Sequence, residues 1–299
     1  MRIDRLLQRT IRTAIKAQGV GVHSGKSVKI FLKPAPPNTG IVFRRIDLDP
    51  VVEIPASVHH VVDTALCTCI GYQGQSVNTV EHIMSALAAF SIDNLHIDIT
   101  DKEIPIMDGS AAQFIFLLQA AGVVDQPVQR QYFVVKKTVS ITDEQSGAVA
   151  TLSPFNGYRI DITIDYDHPD IPDKCSNAVF DFSLTEFVRR VARSRTFGFL
   201  SDYNSLRKKG MALGSSLNNS ICLDDAAVMN RDGLRFFDEL VRHKILDAVG
   251  DHYLLGYPLQ GFFKGFKTGH AMNNRLLLAV LSDPDAWEIK HANELGWNV

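Results

Sequence analysis

Two periods of apolar residues run through the chain. Alternation at period two predicts half-buried strands over residues 27–33 and 95–99. Looser or shorter apolar runs predict strands at 8–16, 41–44, 61–72, 132–141, 148–152, 158–166, 220–223 and 260–266. Helical spacing takes over at 79–90, from Asp108 or Ser110 to residue 121, at 183–193, at 276–281 and, longest of all, at 230–256. Thr79 is the expected N-cap of the first of these helices. Ser183, with Glu186 three residues later, gives the capping-box pattern of the third. The longest stretch reads NRDGLRFFDELVRHKILDAVGDHYLLG. Asn230 or Asp232 is placed to cap it and Gly256 with Pro258 to end it. Leu234, Phe237, Val241, Ile245, Ala248 and Tyr253 form its expected buried face. The Pro-rich residues 34–40 and the polar, Gly-containing region up to 219 read as loops.

The order of elements repeats. After His82 come a helix, the strand at 95–99, a loop around Asp108 and a second helix. After His243 come a helix, the strand at 260–266, the loop KTGHAMNN and a second helix. This repeat predicts an α+β fold of two similar two-layer α/β halves. Each is a strand layer covered by helices; if the halves pack helix layer to helix layer, an active site can lie between them. A composition shift at 122–131 sets the expected division, residues 1–126 and residues 127–299, the second half carrying an insert around 194–219.

Composition narrows the class. A chain of 299 residues has length for two cores, and 45% hydrophobic with 21% charged residues is ordinary for a soluble globular protein. A net charge of -2 argues against a general nucleic-acid binder. No apolar run reaches the roughly 18 residues that a transmembrane segment needs. The basic, mildly amphipathic N-terminus lacks the apolar core and cleavage site of a secretory signal. Cys67 and Cys69 form CxC rather than CxxC, with both side chains on one face of the expected strand. With Cys175 and Cys222 they show no disulfide framework, so all four are expected as reduced thiols in a cytoplasmic protein.

The chemistry lies on two helices. His243, Asp247 and Asp251 follow at successive i, i+4 steps, so an imidazole and two carboxylates project along one line. Such a row pre-orients ligands for a borderline ion such as zinc, whereas an isolated HxxxD is more simply a pair of surface polar contacts. Glu81 and His82 shift the balance. On a helix they stand about 100° apart, so one can bind a metal while the other reaches a water beside it. If the helix layers pack together, His82 and His243 meet, and with Asp247 they make the three protein ligands of a catalytic zinc site. His23, in the glycine-rich loop GVGVHSG, could face a ligand. A peptidase is disfavoured, because there is no HExxH and the ligands are split between halves. A non-catalytic binding protein on the same scaffold would hold no stoichiometric metal.

Six motifs occur in order: GVGVHSGK, NTVEH, EIPIMDGSAAQF, SRTFGF, RHKILDAVGD and KTGHAMNN. Over nearly the whole chain they resemble the zinc-dependent UDP-3-O-acyl-N-acetylglucosamine deacetylases of lipid A biosynthesis. The resemblance implies one catalytic Zn2+ on His82, His243 and Asp247, with Glu81 as general base. It implies His270 as the second, cationic catalytic group, Asp251 as its orienting partner and Thr196 at the oxyanion. It places Lys244 at the nucleotide phosphates, Phe197 by the sugar and Tyr166 near the uracil, with His23 also binding substrate. The expected partner is the UDP-3-O-acyl-N-acetylglucosamine substrate, its acyl passage shaped by the insert. There this chain departs from the family's Gly-Gly-Ser-Phe-like run and reads LGSSLNN over 213–219.

Overall fold

The structure is a computed structural model that describes residues 6–172 and 175–296. The period-two pattern folds as expected in the first sheet. Ser27–Pro34 buries Val28, Ile30 and Leu32 and leaves Ser27 and Lys29 exposed. Leu95–Ile99 lies in the middle of that sheet, antiparallel to Ser27–Pro34 and parallel to Ile41–Arg45. Ile15–Val20 and Val52–Pro55 form the edges. The second sheet repeats the plan. Leu259–Phe266 is central, antiparallel to Ala148–Ser153 and parallel to Tyr158–Thr163, with Val139–Asp143 and Asn177–Asp181 outside them. Numbered in chain order, these five strands run 1-2-5-3-4 in both sheets, so the repeat in element order extends to topology. Gln131–Val135 and Trp287–His291 extend the second sheet.

Six helices are present among the described residues: α1 (Glu81–Phe90), α2 (Ala112–Ala121), α3 (Leu184–Arg190), α4 (Leu200–Lys208), α5 (Glu239–His252) and α6 (His270–Ser282). In each half a long helix leads into the central strand, α1 or α5, and another follows it, α2 or α6. All ten residues of α1 are buried, Glu81 and His82 included, because it lies between its own sheet and α5. One continuous apolar core runs through both halves by way of this helix contact. Gly250 makes the close approach possible: a methyl group there would overlap the Glu81 carbonyl oxygen. Gly250→Ala should therefore lower stability by about 1–3 kcal/mol through overpacking, although alanine is intrinsically the better helix former. Urea unfolding checks this, and an unchanged or raised midpoint would show that the helices separate without cost.

The structure corrects several expected elements. Residues 230–256 are not one helix, since α5 begins at Glu239. Asn230 does not cap it. Its side-chain amide donates to the Leu217 and Ser220 carbonyls and its Oδ1 accepts from the Cys222 N–H, pinning strand Ile221–Leu223, and Gly233 then turns with φ +65°. Phe237, expected in the buried face, is 66% exposed. Thr79 does not cap α1 either; its φ is +60° and Val80 precedes the helix without a side-chain cap. The expected strands at 61–72 and 132–141 each divide in two. Between Val61–Asp63 and Cys69–Tyr72 lies a bend. Cys67 and Cys69 nonetheless face one another, unbonded, with Sγ atoms 3.6 Å apart. The 122–131 region holds strand Val123–Gln129, paired with Leu7–Ile11. The first five residues of the basic N-terminus lie outside the described residues.

Candidate active site

The helix crossing places the ligating side chains. Strand Gln75–Val77 and the left-handed turn at Thr79 aim the start of α1 at the middle of α5, so His82 meets His243 and Asp247. Their donor atoms all lie within 4.8 Å of one another, and they are the one such set among the described residues. Asp247 Oδ1 is 3.3 Å from His243 Nε2 and 3.7 Å from His82 Nε2. Four metal bonds of about 2.1 Å at tetrahedral angles would set donors about 3.4 Å apart, and these two separations are of that order. The donor chemistry fits as well. His243 Nδ1 lies 3.0 Å from the Ser194 carbonyl, which fixes Nδ1–H and leaves Nε2 as the lone-pair atom. Burial, reinforced by His243, pulls the His82 pKa down to about 3. Burial also lowers His243, against the pull of Asp247. Asp247, in turn, is held below the usual carboxylate range: burial opposes this, but His243 and Lys244 outweigh it. All three side chains are therefore in the deprotonated forms that bind cations.

Beside these donors stands an acid–base pair. His270 opens α6, and its Nε2 is 3.8 Å from Glu81 Oε1. His270 Nδ1 donates to Asp251 Oδ2 at 2.9 Å, and Asn273 Nδ2 donates to the same oxygen at 2.8 Å. Burial would lower the His270 pKa, but Asp251 and Glu81 outweigh it and push it up to about 10. Burial raises Glu81 well above the usual carboxylate range, with His270 opposing.

Glu81 of the pair and His82 of the donors line a cavity of about 540 Å³. Thr196, Phe197, Tyr166, Lys244 and His23 all line it, so every residue expected at the substrate borders the same space. Lys244 Nζ lies 5.3 Å over the Phe197 ring, and Tyr166 packs edge-on against that ring. Thr196 is held by its N–H to the Gly109 carbonyl and by its carbonyl to the Ile221 N–H. Arg195, next to it, is locked by a buried bidentate pair with Glu239, which also fixes where α5 starts. The far wall comes from the insert. Leu200, Tyr203 and Leu206 of α4 and Leu217 line the cavity. The backbone at 213–214 hydrogen-bonds to the His23 and Val22 carbonyls, closing the insert onto the glycine-rich loop.

Sequence reasoning missed three parts of this arrangement. Thr68 bonds to Glu81 and Asp251, and Asn273 to Asp251, but these partners are distant in sequence and no short motif signals them. The one available signal was alternation, which sets Thr68 opposite Cys67 and Cys69. Helix α4 was missed because none of its residues is buried, so it lacks the apolar stripe that marks a helix.

Comparison with known proteins agrees with this geometry. The family model for UDP-3-O-acyl N-acetylglycosamine deacetylase matches residues 8–282. A UDP-3-O-acyl-N-acetylglucosamine deacetylase from Coxiella burnetii is 50% identical over 282 residues, covering 94% of this chain and 92% of that protein. The protein of the same name from Hahella chejuensis is 49% identical over 289 residues, covering 97% and 95%. Its namesake from Xylella fastidiosa is 50% identical over 281 residues, covering 94% and 92%. A match of this extent, on a chain that brings two histidines and an aspartate together beside a carboxylate–imidazole pair, shows that the chain belongs to the UDP-3-O-acyl N-acetylglycosamine deacetylase family.

Proposed function

We propose that this chain hydrolyses the N-acetyl amide of UDP-3-O-acyl-N-acetylglucosamine, releasing acetate, in lipid A biosynthesis. His82, His243 and Asp247 would hold one zinc ion. The observation that supports this best is the meeting of the three-donor set with the Glu81–His270 pair, Glu81 and His82 facing the cavity wall that Lys244, Phe197 and Tyr166 share. When bound, the ion supplies Lewis-acid polarisation of the amide carbonyl and a lower pKa for the attacking water. Glu81 Oε1 takes a proton from that water, while Oε2 stays bonded to the Thr68 N–H. His270, charged through Asp251, turns its Nε2–H to the developing oxyanion and the leaving amine. The Thr196 hydroxyl adds a donor to the oxyanion. Lys244 balances the nucleotide diphosphate, Phe197 borders the sugar, Tyr166 the uracil, and His23 the substrate near the glycine-rich loop. This reading keeps the division at residues 1–126 and 127–299, with the base and one metal ligand from the first part and the remaining groups from the second. It places the enzyme in the cytoplasm without a nucleic-acid partner. No helix among the described residues is long and apolar enough to cross a membrane.

The apolar side chains of the insert form the acyl wall in this reading. Burial stabilises by about 0.8 kcal/mol per CH₂, so kcat/KM should fall by up to about fourfold for each methylene removed from the 3-O-acyl chain. Acetate release from substrates of graded chain length measures this. Equal rates with and without the acyl group would remove the assigned substrate.

A further inference from the structure

We infer that Thr68 is a positioning residue that fixes the general base and the cationic group as one unit; this rests on the roles proposed for Glu81 and His270. Thr68 lies in the bend before strand Cys69–Tyr72 and is 2% exposed. Its backbone N–H donates to Glu81 Oε2 at 3.0 Å, and its hydroxyl donates to Asp251 Oδ1 at 2.6 Å. The hydroxyl oxygen also sits 3.2 Å from His270 Nδ1. These contacts use up every oxygen that is not meant to react. Glu81 keeps Oε1 free toward His270 because Oε2 is occupied. Asp251 has Oδ1 taken by Thr68 and Oδ2 shared by His270 and Asn273, so its carboxylate cannot rotate without breaking a buried bond. Rotation of Asp251 would turn the His270 ring and move Nε2 away from the reacting atoms.

Thr68→Val tests this, because it keeps the β-branched shape and the backbone N–H and removes only the hydroxyl. An outer hydrogen-bond partner of a functional group is typically worth 10–100-fold, so kcat should fall by roughly that factor with KM and zinc content unchanged. Thr68→Ser restores the hydroxyl and should bring kcat back to within about threefold of the parent. In a His270→Ala background, Thr68→Val should add less than about a threefold loss, because the residue acts through that imidazole. A parental kcat in Thr68→Val, an equal loss in Thr68→Ser, or an undiminished loss in the His270→Ala background would each overturn the inference. Should the valine protein fail to fold, Thr68→Ala against Thr68→Ser makes the same comparison. A parental rate in His270→Ala alone would instead overturn the acid–base assignment beneath it.

Discussion

Glu81→Gln keeps its fold and its zinc and loses roughly 10²–10⁴ in kcat, the usual span for general acid–base catalysis. Glutamine preserves the shape of the side chain and its bond from the Thr68 N–H, so the substitution removes little besides basicity. Single-turnover acetate release with metal analysis on the same sample measures both quantities. Loss of zinc from this variant would make Glu81 a ligand and send the search for the base elsewhere. The pH profile gives a second check. Burial raises the Glu81 pKa, so the active carboxylate is gained only as pH rises past the ordinary carboxylate range. His270 is pushed up to about 10, so its active cation is present through neutrality and lost as pH passes that value. The expected profile is a broad bell whose limbs belong to the coupled pair. His270→Ala should keep zinc and flatten the alkaline limb.

Asp247→Ala loses the metal, and with it activity falls to background. The set has only three protein donors, and each contributes a large part of the affinity for the ion. Asp247 brings the set's one negative charge, and it also receives Lys244 at 3.3 Å. Its removal leaves two neutral imidazoles beside a buried ammonium, a poor place for a cation. His82→Ala and His243→Ala should act alike, since each deletes one vertex of the same triangle. Zinc stoichiometry after dialysis, with and without added metal, reads the effect directly. One full equivalent retained in Asp247→Ala would take that residue out of the centre.

Much of this site was legible in the sequence because its information is local. The i, i+4 row on α5 and the Glu81–His82 adjacency on α1 are properties of helix geometry, and burial preserved them. The repeat in element order anticipated two sheets with one topology, because each half solves the same packing problem. What stayed hidden depends on tertiary context. Asn230 and Asp232 looked like caps by type, but Asn230 gave its side chain to the backbone of Leu217, Ser220 and Cys222. Phe237 fitted the helical period but lies before the helix begins. The strand Val123–Gln129 read as a boundary because its pairing partner is the far-off Leu7–Ile11. Thr68 carried no signal beyond alternation with its neighbouring cysteines. Its neighbours in space, Glu81 and Asp251, come from helices on opposite sides of the crossing.

The bare backbone of Gly250 against Glu81 ties two equilibria together. The three proposed ligands sit on two helices that touch through that glycine, so an ion would bind fully only while the helices are docked. By mass action, whatever binds only the docked arrangement also favours it. Metal affinity and helix docking are then a single linked quantity. A substitution far from the ligands that loosens the crossing raises the metal's dissociation constant, and an ion in the centre resists the parting of the two sheets as a clasp would.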